Sequence, residues 1–288
     1  MSSSMQLPAE LALGRSKLKA RFCDLPPSIV KAGESLAAVG GSSGAIYRLR
    51  SGWACQFGDP CNHRQAIVDV YLPGDVIGLD SALSTRPLGE ILTLTSVTIE
   101  VIRVEDALME LFACRPAALY IAWLLGQRQR RADRLLASIS GLDARGRLAM
   151  MVLDFYTRLS RRKLITGRMY NLPLTQIQIG NYLGLTVVHI NRVLRSLRDD
   201  RIINLEKHCV TIIDLARLTS LARNEAAAPS NPDIAGYTIN GAVNLVDPGQ
   251  PASRDWASDA RSAKQESRRQ PQSRTLPGNT VALAYSGN

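Results

Sequence analysis

Long hydrophobic runs are missing from this chain. Nowhere do the roughly 20 uninterrupted apolar residues of a membrane-spanning helix occur, and the start lacks the basic-then-apolar order of a secretory signal. A cytoplasmic protein without a membrane partner is the expectation. Cysteine is sparse: Cys23, Cys55, Cys61, Cys114 and Cys209 are odd in number, widely spaced and contain no CxxC pair. Neither a disulfide framework nor an ordinary zinc site is indicated, and reduced thiols are the default. The three histidines, His63, His189 and His208, lie in unrelated segments and form no ligand set. A Gly-rich phosphate loop, a nucleophile elbow and a His/carboxylate cluster at metal spacing are all lacking, which argues against an enzyme with a regulatory β domain. No catalytic residue, metal or cofactor is therefore expected.

What the chain does have is a concentrated positive charge. The formal net charge of +10 over 288 residues is unevenly spread. Residues 126–223 hold 18 basic and 7 acidic side chains, whereas residues 1–125 hold 11 and 12 and residues 224–288 hold 6 and 6. A basic module beside a neutral one is the footprint of nucleic-acid binding, with a membrane surface or an acidic protein partner as the alternatives. An apolar content of 45% is enough for one large domain or two ordinary ones.

From Ile29 to about Arg103, short β-type runs alternate with turns. Ala45–Arg50, Ala66–Leu72 and Glu90–Thr95 are separated by Ser51-Gly52, Gly58-Asp59-Pro60 and Pro73-Gly74-Asp75. Strands this short must fold against one another, which predicts a β-sandwich or barrel. A helical period runs from about Ala107 to Ser140. In it Ile121, Leu125, Arg128, Ala132, Leu135 and Ile139 recur at alternating steps of four and three, a stripe that can pair with its copy in a homodimer or pack on the preceding domain. Asp143 can cap a further helix from Ala144 to about Leu159, beyond which Arg158 and Arg161-Arg162-Lys163 are either a solvated helix end or phosphate contacts. After about Arg223 the chain turns rich in Ala, Pro, Ser and Asn, the composition of a disordered tail, with a short β-type patch at Tyr237–Asn240.

The strongest local pattern is Leu174–Leu197. Gly180 permits close approach of two helices, Gly184 suits a left-handed turn, Thr175 and Thr186 stand at cap positions, and Ile179, Leu183, Leu185, Ile190, Val193 and Leu197 supply buried faces. Arg201–Leu205, Glu206–His208 and Cys209–Ile213 follow as a two-stranded wing, and Asp214 can cap Leu215–Ala222. The second helix, about 187–198, is expected to enter the major groove. Arg192 is the chief candidate for base reading through two bonds to one guanine; Asn191 and Val188 are secondary, by way of adenine and a thymine methyl. Thr175, Thr186, His189, Arg195, Arg198, Arg201 and Lys207 are candidates for the DNA backbone. Arg198 has an alternative in pairing with Asp199, Asp200 or Asp214.

Gly180-Asn-Tyr-Leu-Gly-Leu-Thr-Val187 followed by Ile190-Asn191-Arg192 resembles the DNA-binding domain of the Crp/Fnr superfamily. Lys31–Glu34, Arg50–Cys55 and Tyr71–Gly78 look like that group's sensor domain. The resemblance implies an α+β protein: a β jelly-roll sensor at 25–106 after an N-terminal segment 1–24, a dimerisation helix at 107–140, a winged helix-turn-helix at 141–223 and a tail at 224–288. It implies double-stranded DNA, a second copy and RNA polymerase as partners. Two departures matter. The glutamate that common members carry four residues before the arginine is Val188 here, so the target sequence should differ at that position. The phosphate-binding Gly-Glu pair of cyclic-nucleotide binders reads Gly78-Leu79, and Ser84–Glu90 offers no Arg-Ser pair, so cyclic AMP is not expected. Nor is an iron–sulfur cluster, because a lone Cys23 precedes the β domain.

Overall fold

Residues 3–23, 26–36, 45–58, 66–83 and 89–223 are described in the computed structural model. Cys61, His63, the Ser84–Leu88 stretch and the 224–288 tail lie outside the described residues.

The short apolar runs form two antiparallel sheets. One has the order β1 (Ser28–Val30), β7 (Val97–Arg103), β2 (Ala45–Ser51), β5 (Val76–Ile77). The other has β4 (Ile67–Tyr71), β3 (Ala54–Phe57), β6 (Ile91–Thr93). Successive side chains of a strand point to opposite faces. Thus Tyr47 and Leu49 meet Ala54, Tyr71 and Ile99 between the sheets, while Ile46 and Ile102 face outward onto helices. All four residues of β3 are buried because both faces are covered: Ala54 lies in the inter-sheet core, Cys55 and Phe57 in the core shared with the C-terminal helices.

The N-terminal segment, for which the sequence pattern predicts no element, forms helix α1 (Ser3–Cys23), which buries Leu18 and Phe22 against Ile46, Ile102 and Ile121. Gly14 is needed there, since a Cβ would overlap the Pro116 carbonyl. Helix α2 (Leu79–Leu83) is short. The expected single helix of 107–140 is two: α3 (Val104–Ala113) and α4 (Arg115–Gly141), broken at Cys114, whose backbone is extended (φ −88°, ψ 101°). Pro116 starts the second because its missing N–H costs nothing in a first turn.

The stripe proposed as a dimer seam is occupied for most of its length by the protomer itself. Ile121 is fully buried, and Leu125 and Leu135 pack on the chain's own cores. Arg128 pairs with Asp80 and with Asp69 (3.4 Å), and donates to Gln56 Oε1 (2.5 Å), which also accepts from the Tyr71 hydroxyl (2.6 Å). Arg131 reaches Asp69 at 3.1 Å. Ala132 and Ile139 remain exposed.

Helix α5 (Ala144–Arg161) starts at Asp143, whose carboxylate accepts from the Gly146 N–H (2.7 Å). Its buried side meets the outer face of the β4-β3-β6 sheet, with Phe155 edge-on to Trp53 at 5.5 Å. Two of the basic residues at its end, Arg158 and Arg162, are turned to the β unit, while Arg161 and Lys163 are exposed. Arg158 reaches Asp75 at 2.6 Å and donates to the Val70 carbonyl (2.9 Å); Arg162 reaches Asp75 at 2.5 Å and donates to the Pro73 carbonyl (2.6 Å). The turn Leu72–Asp75 presents that carboxylate: Gly74 takes φ +94°, and Asp75 Oδ2 accepts from the Leu72 N–H at 2.7 Å. Burial alone would push the Asp75 carboxyl up, but Arg162, Arg158 and Arg131 outweigh it and hold it below the usual carboxylate range.

Breaking one partner of a buried pair strands the other charge, so Asp75→Asn should lower unfolding free energy by about 3–5 kcal/mol at neutral pH. The Asp75 acid is stronger in the folded state, so its contribution is complete above the unfolded carboxyl value of about 3.9 and fades as pH falls below it. Urea unfolding of both proteins across pH checks this: the gap should be widest at neutral pH and shrink in acid. A gap that does not change with pH would exclude the ion pairs as its source.

Candidate nucleic-acid interface

The helix pair after α5 follows from local chemistry. Helix α6 (Gln176–Leu183) opens with a reciprocal cap: the Gln178 N–H donates to Thr175 Oγ1 (3.2 Å) and the Thr175 N–H to Gln178 Oε1 (2.8 Å). Gly184 ends it in the left-handed conformation (φ 67°). Gly180 lies under the turn, where a Cβ would come within 2.6 Å of the Leu185 carbonyl oxygen. Thr186 then caps α7 (Val187–Asp199) by accepting from the His189 N–H (3.3 Å). Ile190, Val193, Leu194 and Leu197 face the core. Arg147 locks the motif to the preceding helix: its guanidinium donates to the Ile139 (2.5 Å), Leu142 (3.0 Å) and Leu183 (3.5 Å) carbonyls.

The wing has three strands rather than two, ordered β8 (Met169–Asn171), β10 (Cys209–Ile212), β9 (Ile203–Glu206). Three residues of β8 are too few to carry a periodic signal, although Tyr170 marks the strand by burying its ring and donating its hydroxyl to the Val152 carbonyl (3.0 Å). Burial raises the Tyr170 phenol well above its ordinary value, so it stays a donor. Strands β9 and β10 are joined by Lys207 and His208, both left-handed (φ 47° and 64°), the backbone of a tight two-residue hairpin.

Between α7 and this turn runs a groove of about 770 Å³. Val188, Asn191, Arg192 and Arg195 line it from the helix, Lys207 and His208 from the wing, and Thr175 from the start of α6; among the described residues no carboxylate lines it. Val188 is 68% exposed, which no core role explains. Thr186 and His189 are exposed at the amino end of α7, with His189 Nδ1 3.0 Å from Thr186 Oγ1. Arg198 lines the groove but braces the wing, donating to Asn204 Oδ1 (3.1 Å) and the Leu205 carbonyl (3.3 Å) instead of pairing with an aspartate. Asp200 is taken by Arg145 (2.5 Å), and Asp214 accepts from the Arg217 N–H (2.9 Å). Arg201 stands apart from the other candidates, in a second cleft of about 540 Å³ with Arg168, Asp200, Asp214 and Arg217. Sequence reasoning passed over His208, whose groove position depends on the turn conformation.

In the β unit, Gly78 is left-handed (φ 88°) and Leu79 is buried. Cys55 is buried in β3, which pushes its thiol up to about 12; Cys23 and Cys209 are exposed and Cys114 is half-buried. Among the described residues no group of three His, Cys, Asp or Glu could hold a metal ion, and no helix is long and apolar enough to cross a membrane.

Residues 146–221 match the family model for a Crp-like helix-turn-helix domain. The chain is 27% identical over 195 residues to the anaerobic regulatory protein of Pasteurella multocida, covering 67% of this chain and 70% of that protein. It is also 27% identical over 195 residues to the fumarate and nitrate reduction regulatory protein of Vibrio cholerae, covering 67% and 77%. Among solved structures, FixK2 from Bradyrhizobium japonicum shares the fold at a TM-score of 0.59 and 20% identity, over 68% of this chain and 96% of that one. TTHB099, a CRP-family transcriptional regulator from Thermus thermophilus, does so at 0.54 and 18%, over 68% and 96%. With a Crp-like helix-turn-helix at 146–221 carried behind a β unit of the same fold, and relatives named as regulators along two thirds of its length, this chain is similar to the DNA-binding transcription regulators of the Crp/Fnr family.

Proposed function

We propose that the chain acts in the cytoplasm as a homodimer on a two-fold symmetric DNA site, laying α7 in the major groove of each half-site. The observation that carries this is the carboxylate-free groove beside an exposed helix face on which Arg192 and Arg195 are not committed to another described residue. Arg192 reads a guanine edge, Asn191 an adenine, and Val188 touches a thymine methyl where a carboxylate would accept from cytosine. Lys207 and Arg195 bind phosphates on either side, and Thr175, Thr186 and His189 meet the backbone at helix starts, where N–H groups favour anions. Arg198 holds the wing in position, and Arg201, in its separate cleft, stands outside the main contact. The resemblance to Crp/Fnr regulators supports RNA polymerase as the further partner, and the signal is one other than cyclic AMP or an iron–sulfur cluster.

The dimer seam lies on the outer face of α4. Ala122, Gly126, Gln129, Asp133, Leu136 and Ser140 repeat at steps of four and three, all exposed, with Leu136 at 68%. Nothing lies within 4 Å of a Cβ placed on Gly126, so a second helix can approach closely there. Met109, 82% exposed, and Phe112 extend the apolar surface along α3.

Arg192→Ala should cost about 1–3 kcal/mol on the cognate site and relax preference at one base pair per half-site. Lys207→Ala should weaken all sequences alike and lower the salt slope by about one unit. Titrations against single-base variants at two salt concentrations distinguish the two. Equal losses on every variant for Arg192→Ala would make Arg192 a phosphate anchor.

Leu136→Glu should yield monomers in sedimentation while shifting protomer stability by no more than about 0.5 kcal/mol, because the side chain is exposed. Leu125→Glu, by contrast, should destabilise the protomer. A Leu136→Glu protein that sediments as an unchanged dimer would place the seam elsewhere.

A further inference from the structure

The wing turn holds a histidine in an unusual setting. His208 is anchored twice to one residue: its carbonyl accepts from the Leu172 N–H (2.7 Å), and its Nδ1 lies 3.3 Å from the Leu172 carbonyl oxygen. A carbonyl can only accept, so Nδ1 carries the proton. In the neutral ring Nε2 is then a bare lone pair, because the hydrogen bond at one ring nitrogen dictates the state of the other. His208 is exposed and lines the groove beside Lys207. The neutral ring thus offers a phosphate oxygen no donor from Nε2. The protonated ring offers a fixed N–H and a positive charge.

We propose that His208 is a proton-gated phosphate contact, so that the wing grips DNA more tightly when the ring is protonated and affinity rises on acidification. The idea rests on the DNA-binding reading above and adds a chemical condition to it. A phosphate oxygen within hydrogen-bond reach of Nε2 favours imidazolium, so a proton is taken up as the complex forms and affinity must rise with acidification.

The charged groups around the ring are few. Lys207 precedes it, Glu206 lies at the end of β9, and Arg192, Arg195 and Arg198 face the same groove from α7. Strand β8 (Met169–Asn171) and helix α6 (Gln176–Leu183), the other neighbours, contain no charged residue and only the buried phenols of Tyr170 and Tyr182, and the exposed thiol of Cys209 follows the ring on β10. The other described histidine differs. His189 Nδ1 faces a hydroxyl, which can donate as well as accept, so its neutral ring can already direct an Nε2–H outward.

The test uses the full chain and a mixed-sequence DNA duplex, since a phosphate contact exists on any sequence. Affinity is measured from about pH 8 to about pH 6 at several salt concentrations, for the unaltered protein, His208→Asn and His208→Arg. Asparagine tolerates the left-handed backbone and can donate its amide to the Leu172 carbonyl, but it cannot titrate. For the unaltered protein, affinity should rise roughly fivefold per wing and the salt slope should steepen by about one unit per wing on acidification. His208→Asn should stay at the weaker, shallower values throughout, and His208→Arg at the stronger, steeper ones. A flat profile for the unaltered protein, or the same pH-dependent rise in His208→Asn, overturns the proposal while leaving DNA binding intact. Absence of duplex binding by the unaltered protein at every pH would remove the DNA-binding reading itself.

Discussion

The fold depends on one carboxylate. Asp75 sits at the end of a four-residue turn, out of water, with the guanidinium groups of Arg158 and Arg162 at 2.6 and 2.5 Å. A charge so placed is tolerated only if opposite charge and hydrogen bonds replace its lost hydration. One cation lies on the helix that leads into the winged motif and the other caps its C-terminus, 83 and 87 residues further along the chain. The same contact therefore satisfies the turn and mounts the DNA-binding elements on the β unit. Around it the apolar surfaces merge: Trp53, Val70 and Leu72 of the β unit share one core with Phe155, Tyr182 and Leu183 of the helical unit.

How much of this was legible in the sequence follows from the range of each interaction. The helix-turn-helix was legible because its determinants are local. Gly180, Gly184, Thr175 and Thr186 act within a few residues of themselves, and the structure places each in its expected role. The short strands were legible from Ala45–Arg50 and Ala66–Leu72, since a run bounded by turn residues needs no partner to be recognised. The partners of charges were not. Arg128 looked like a flaw in an apolar stripe because Asp69 and Asp80, which receive it, are distant in sequence. Helix α1 contains Pro8 and has little amphipathic contrast, so it gave no periodic signal, yet Leu18 and Phe22 are among the most buried side chains.

Arginine does three kinds of work in the basic segment, and charge counting cannot separate them. Arg128, Arg131, Arg158 and Arg162 neutralise buried aspartates. Arg147 and Arg198 brace backbone carbonyls, the first at the joint between helices and the second at the wing. Arg192 and Arg195 stand in the groove. The excess of 18 basic over 7 acidic side chains in residues 126–223 thus overstates the charge available to a polyanion. The groove depends less on the total than on the absence of carboxylates from its lining.

Helix α4 has charged anchors on its inward side, and this limits how it can move. Arg128 and Arg131 are one turn apart and both reach Asp69, on the same strand-and-turn segment that presents Asp75. Turning the helix about its own axis would withdraw both guanidinium groups at once and leave the aspartate stranded, a penalty of several kcal/mol. Tilting or sliding with the β unit as a single body preserves every pair. The helix is therefore a strut rather than an axle: whatever moves the β unit carries α4 with it, and the winged motif, bolted on through Asp75, travels along.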